Sequence, residues 1–259
     1  MSSLIYNELL KTWYRNRVKW FLIIVIGLYL ILSISLRIFL DENALPTAGT
    51  FLTLSQSFIN GLFLLFYGVI ITTSSITSEF HKGTIKQLAI RPISRLSLLG
   101  SKLISGFLAT LLLMVVFNIV IFLVSVLMFD ASQASENLFM TAVLSCLYQI
   151  PVYVFYLCLS VLVGTLFKST VVAVVLFFVI DTAGSMVTGI LELLNWNTSY
   201  FIYPNLTLQV YSDNTLINNP GEMVMGAGEG LLFSLTIIFV YSLVLAVIGF
   251  YRFQKQDIL

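Results

Sequence analysis

A chain of 259 residues that is 59% hydrophobic and only 10% charged falls outside the range of soluble domains, where about a quarter of residues are charged. Its apolar runs fit several helical crossings of roughly 20 residues each and leave no room for a large extramembrane catalytic domain. A net charge of +1 gives no basic field for nucleic acid, and the single histidine, His81, removes most zinc and histidine-based catalytic schemes.

In chain order, residues 1–19 read as a basic amphipathic helix. Ile5, Tyr6, Leu9, Leu10 and Trp13 recur at helical spacing, and Glu8, Lys11, Thr12, Arg15 and Lys19 fill the other face. Such a helix is expected to lie in the headgroup plane with its cations toward anionic lipid. It is an interfacial anchor, or an elbow that also transmits force. Span one follows from Trp20 to Leu40, too long for a cleavable signal peptide and without a small-residue cleavage site after it. Span two is expected from Leu54 to Ser78. The small polar run at its end, Thr72, Thr73, Ser74, Ser75, Thr77 and Ser78, either lines a vestibule or glues helices together.

The loop after span two reads Glu79-Phe80-His81-Lys82-Gly83-Thr84-Ile85-Lys86-Gln87-Leu88-Ala89-Ile90-Arg91-Pro92-Ile93-Ser94-Arg95. Gly83 can end the span, Thr84 can cap a short helix from Ile85 to Ile90, and Pro92 stops it. Ile85, Leu88 and Ala89 give that helix an apolar face among basic residues. A loop that only fixed topology would need no capped helix with apolar residues.

Span three, Leu103 to Phe129, and span four, Leu138 to Phe167, are uncharged; the fourth carries Pro151, where a kink is expected. Cys146 and Cys158 share that apolar stretch and read as packing residues rather than a disulfide or metal pair. Span five, Thr170 to Leu191, holds the one acid well inside a span, Asp181. A mid-membrane carboxylate costs roughly 2.5–3.5 kcal/mol on insertion scales, so it should face the bundle interior, a dimer contact or a water-filled cavity, with a functional role or a structural hydrogen bond. Ser185 and Gly189 have the spacing of a close helix contact. Residues 192–230 are long for a connection and carry Trp196, Tyr200, Phe201 and Tyr203, which suit an aromatic belt. Asn-x-Ser/Thr occurs at Asn197 and Asn205, a weak glycosylation signal. Span six runs from Leu231 to Tyr251. No repeat of 20–50 residues is visible.

Twelve of the thirteen basic residues fall on the side of the termini, Lys102 among them as a loop residue; Arg37 is the exception. Eight of the twelve acids fall on the other side. The positive-inside rule then places both termini in the cytoplasm. The fold class expected is all-α: a single polytopic domain, 1–259, with six spans.

The run Glu79-Phe80-x-x-Gly83-Thr84-Ile85-Lys86-Gln87-Leu88, followed by Arg91-Pro92-Ile93-Ser94-Arg95 and Lys102, resembles the coupling-loop signature of ABC-2-type transporter permeases. The amphipathic segment before span one, the six spans and the short tail with Asp257 are similar to that family in layout. The resemblance implies a permease subunit in the plasma membrane of a bacterial cell, paired with a second copy or a paralogue and bound to two cytoplasmic ATPase subunits. It assigns coupling to Glu79, Phe80, Gly83, Thr84, Ile85, Lys86, Leu88 and Ala89, within the loop 79–95. It also implies short re-entrant helices in the extracellular region 192–230 that narrow the outer exit. Within the family, exporters of amphipathic peptides such as bacteriocins or phenol-soluble modulins are one cargo class, and no motif settles the choice.

The chain has no Gly-x-x-x-x-Gly-Lys-Ser/Thr loop, so ATP and its Mg2+ are expected in the partner, and no catalytic residue, metal or cofactor is expected here. The function expected is ATP-driven export of a hydrophobic or amphipathic substrate: a peptide, a drug or a lipid-like molecule. The alternative is an ion-coupled secondary transporter with Asp181 as its relay. An intramembrane enzyme finds no paired aspartates, histidine cluster or serine–base pair in the spans.

Overall fold

The computed structural model describes residues 2–14, 16–41, 44–81, 95–130, 137–167, 169–218 and 230–255. Among these there are helices and no strands. Six helical stretches are long and apolar enough to cross a membrane, and the chain is a multi-pass membrane protein. Without water, backbone groups must pair within the segment, and helices do that.

Helix α1 (Ser2–Tyr14) is separated from α2 (Arg17–Phe39) by Asn16, which sits in the left-handed region at φ 53, a conformation asparagine tolerates better than most residues. The expected helix over 1–19 is therefore two pieces: Arg17 and Lys19 already belong to span one. Helix α1 packs on the third span and on α2.

Span two starts at Ala48 rather than Leu54 and has three parts: α3 (Ala48–Phe58), a π-helical turn (Ile59–Leu64) and α4 (Leu65–His81). Thr47 caps its start through a hydrogen bond from Thr50 N. Helix α5 (Arg95–Met128) has 34 residues, roughly 51 Å at 1.5 Å per residue, against a hydrocarbon layer of about 30 Å. Its first turns therefore stand outside the apolar layer, and Lys102, expected in a loop, is part of this helix. Helix α6 (Leu138–Leu166) starts on an Asn137 cap and continues through Pro151. Helices α7 (Thr170–Leu193), the one-turn α8 (Ile202–Asn205) and α9 (Leu231–Lys255) complete the chain, with a 3-10 turn at Leu208–Tyr211.

Helix α6 is the axis of the bundle and packs against α3, α4, α5, α7 and α9. Helices α2, α7 and α9 are peripheral and present long rows of apolar side chains outward. The small residues explain the close packing at the centre. A Cβ on Gly68 would stand 2.8 Å from Thr110 Oγ1, and one on Gly106 would collide with Thr72 Oγ1. Each threonine also returns its hydroxyl to the glycine four residues before it, Thr72 to Gly68 O at 2.9 Å and Thr110 to Gly106 O at 2.8 Å. With Thr72, Thr73 and Thr77 all buried, this part of the polar run is packing glue and lines no vestibule.

Gly106→Val would force α4 and α5 apart. Overpacking of this kind costs about 1–3 kcal/mol, so the midpoint of thermal unfolding in detergent should fall well below that of Gly27→Val, whose added Cβ meets nothing within 4 Å. Equal midpoints would contradict the contact.

Candidate functional site

Of the residues expected to couple to an ATPase, Gly83, Thr84, Ile85, Lys86, Leu88 and Ala89 lie outside the described residues. Glu79 and Phe80 form part of the last turn of α4, and their side chains are likewise outside the description. What is described is the frame around that loop. Lys102 Nζ donates to Ser75 O at 2.8 Å and meets Glu8 Oε2 at 3.4 Å. Its side chain is only 2% exposed. Glu8 bridges on to Lys11 Nζ at 2.7 Å through its other oxygen. One ammonium thus ties α1, the end of span two and the start of span three. The sequence placed Glu8 on a solvated face and Lys102 in a loop; instead they form a buried pair.

A second polar cluster lies deep between spans two, three and four. Gln56 Nε2 donates to Asn118 Oδ1 at 2.7 Å and to Ala142 O at 3.2 Å, and Ser145 Oγ donates to Gln56 Oε1. Asn60 Nδ2 reaches Asn118 Oδ1 at 3.3 Å, and Asn118 Nδ2 returns to Asn60 Oδ1 at 3.4 Å and to Met114 O at 2.8 Å. Tyr153 Oη donates to Asn60 O at 3.0 Å, a carbonyl of the π turn. Gln56, Asn60 and Asn118 are buried, and pairing relieves the cost of placing carboxamides in an apolar layer. None of them stands out in the sequence analysis, where charge is the prominent signal. The available signal was two carboxamides one turn apart, Gln56 and Asn60, inside an apolar run.

Asp181 sits near the middle of α7. Its Oδ1 is buried with no hydrogen-bond partner among the described residues, while the Tyr156 side chain reaches its carboxylate. The neighbouring close contact is not at Ser185, which is exposed, but at Gly184, where a Cβ would collide with the Tyr203 ring.

The segment from Asn195 to Asn218 folds back onto the spans. Asn205 is fully buried: its Nδ2 donates to Ser199 O and Phe201 O, both at 2.7 Å, and its Oδ1 accepts from Ser234 Oγ of α9 at 2.7 Å. That carboxamide has no room for a glycan. Asn214 Nδ2 donates to Thr141 Oγ1 of α6 at 2.7 Å, Tyr203 covers Gly184 of α7, and Leu216 covers Gly49 of α3. Of the aromatics expected in a belt, Trp196 and Tyr200 face outward, whereas Tyr203 serves this packing. Beneath the segment lies a cavity of about 250 Å³ lined by Ser57, Gly61, Gln149, Tyr153 and Gln209, among others. Among the described residues no group of His, Cys, Asp and Glu converges as a metal site would require.

From residue 20 to residue 259 the chain matches the family described as "Protein of unknown function (DUF2705)", and it belongs to that family. It is 28% identical over 198 residues to the "Uncharacterized membrane protein YdbK" of Bacillus subtilis (strain 168), covering 73% of this chain and 76% of the relative. It is 25% identical over 249 residues to the "Uncharacterized protein YhcI" of the same organism, covering 87% of this chain and 75% of the relative. No solved structure matches it.

Replacing Glu8 with leucine would take from the buried Lys102 the carboxylate it meets among the described residues. Losing a hydrogen bond to a charged group costs roughly 1.5–3 kcal/mol, so Glu8→Leu should unfold earlier in detergent. Adding Lys102→Met should recover much of the loss, since a buried pair replaced whole by apolar groups is often near neutral. A double variant weaker than Glu8→Leu alone would contradict the pairing.

Proposed function

We propose that this member of the DUF2705 family is the membrane-spanning permease subunit of an ATP-driven exporter in the cell membrane, with both termini cytoplasmic. The observation that carries the reading is the Lys102 contact. Lys102 joins Glu8 of α1 to the Ser75 carbonyl near the end of span two, so both sides of the loop 82–94 and the N-terminal helix move as one unit. A short helix in that loop, docked on a cytoplasmic ATPase, would pass the closure of its partner to three elements at once. The resemblance of residues 79–102 to the ABC-2 coupling signature, the six spans and the basic excess on the side of the termini support the same reading. Two ATPase subunits supply ATP hydrolysis, and a second permease copy or a paralogue completes the pathway. The cargo is hydrophobic or amphipathic, a class that includes peptides, drugs and lipid-like molecules.

Leu88→Asp tests the coupling role. Burying one leucine-sized side chain contributes about 1.5–3 kcal/mol, and the substitution removes that and adds a charge to the contact. The variant should insert normally but fail to co-purify with its ATPase, or leave ATP hydrolysis uncoupled from export. A cysteine at Ala89 should cross-link to the ATPase. Normal export with no cross-link would reduce this loop to a topology determinant.

A second reading, an ion-coupled secondary transporter, is favoured by one observation, the buried and unpartnered Oδ1 of Asp181. Asp181→Asn separates the two. Export that survives the change supports the ATP-driven reading. Loss of transport with normal assembly and ATPase binding would support the proton relay.

A further inference from the structure

The cavity beneath the folded-back segment has features that neither export nor packing uses. It lies between the π turn of span two, helix α6 and residues 206–218. Gln149 is eleven residues from the start of α6, roughly 16 Å along the helix, so the cavity lies well below the end of the span. Its volume of about 250 Å³ equals about eight waters at some 30 Å³ each. Gly61 opens one wall: a Cβ there would meet nothing within 4 Å.

The lining is neutral and mixed. Leu65, Val152 and Leu208 supply apolar surface, and Ser57, Tyr148, Gln149 and Gln209 supply polar groups. Tyr153 Oη gives its one proton to Asn60 O and stands 3.2 Å from the Gln149 carboxamide, so among the described residues most of the hydrogen-bonding capacity of that carboxamide is without a partner. Among the described residues Ser57, Tyr148 and Gln209 have no side-chain hydrogen-bond partner. The polar cluster around Gln56, by contrast, is closed on itself. Among the described residues that line the cavity none is charged, so these residues offer an ion or a charged headgroup no counter-charge. A bare acyl chain would cover these donors and acceptors without pairing them, which is costly. A carboxamide side chain presents a donor and an acceptor side by side, the pattern complementary to another amide.

We propose that this cavity is a binding site for an uncharged amide-bearing ligand with a small apolar side group, the chemistry of one residue of an apolar peptide. Gln149 and Gln209 pair with its amide groups, and Leu65, Val152 and Leu208 hold its side group. The site belongs to a single chain and needs neither ATP nor an ATPase, so it stands or falls apart from the export reading.

The test uses the purified full-length chain in detergent and the probe N-acetyl-leucinamide, with binding measured by equilibrium dialysis. The wild-type chain should bind it saturably, with one equivalent per chain. Gly61→Leu, which fills the cavity, and Gln209→Leu, which removes one amide partner, should each weaken binding by roughly tenfold or more. Both should keep the thermal midpoint of the wild type, because neither replaced side chain takes part in the described hydrogen bonding. Gly27→Leu on α2 should bind as the wild type does. Absence of saturable binding to the wild type would overturn the proposal, as would affinities unchanged in both cavity variants. Tighter binding of the neutral polyol sorbitol, lost in the same two variants, would overturn the amide assignment.

Discussion

Thr72 and Thr110 each fill the space above a glycine of the facing helix, and this reciprocal contact sets the separation of spans two and three. In lipid there is little hydrophobic force between helices, so packing of small residues and hydrogen bonds must hold them. With the two spans fixed at that distance, Asn118 of span three comes within reach of both Gln56 and Asn60. The same approach lets Lys102 reach the backbone of span two at Ser75. Wider spacing would leave the carboxamides unpaired in an apolar layer and the ammonium without its carbonyl.

The two ends of the bundle are tied by different chemistry. At one end a buried ion pair joins α1 to spans two and three. At the other, neutral hydrogen bonds and ring-on-glycine contacts fasten one segment to four separate helices, α3, α6, α7 and α9. A buried pair is screened far less by salt than an exposed one, so the ion-pair end, like the neutral end, is held by contacts that solvent reaches little.

Much of the architecture was legible in the sequence because hydropathy and length report directly on membrane crossing. Six spans and the all-helical class were both readable, whereas short helices between spans five and six were implied only by the family resemblance. What hydropathy does not weigh was missed. Lys102 reads as a solvated loop cation because lysine is seldom buried, and its partners, a glutamate 94 positions earlier in the chain and the Ser75 carbonyl among them, are not legible from local sequence. Gln56, Asn60 and Asn118 vanish in a window average dominated by leucine, isoleucine and phenylalanine. The start of span two was set too late because Thr50, Thr53 and Ser55 lower the local hydropathy, though Thr50 and Thr53 return their hydroxyls to the helix backbone. Asp181 was identified from its charge, but its neighbour Tyr203 comes from a segment whose path no periodicity specifies. The loop 79–95, whose residues resemble a coupling signature, was the most specific motif in the sequence, and its stretch 82–94 lies outside the described residues.

The π turn at Ile59–Leu64 sets the rotational phase of span two. Gln56, Asn60, Leu64, Gly68 and Thr72 recur every fourth residue, and Gln56, Asn60, Leu64 and Thr72 are all buried in the bundle. In an unbroken α-helix, positions four apart advance by about 40° at each step, so such a row would spiral away from its neighbours. The wider π turn slows the rotation midway and brings the second half of the row back into line. It acts as a gear between the carboxamide half of the span and its glycine–threonine half. Deleting one residue from that turn would leave an ordinary α-helix with the two halves nearly in phase, whereas deleting one from either flanking half would turn Gln56 and Thr72 by about 100° against each other.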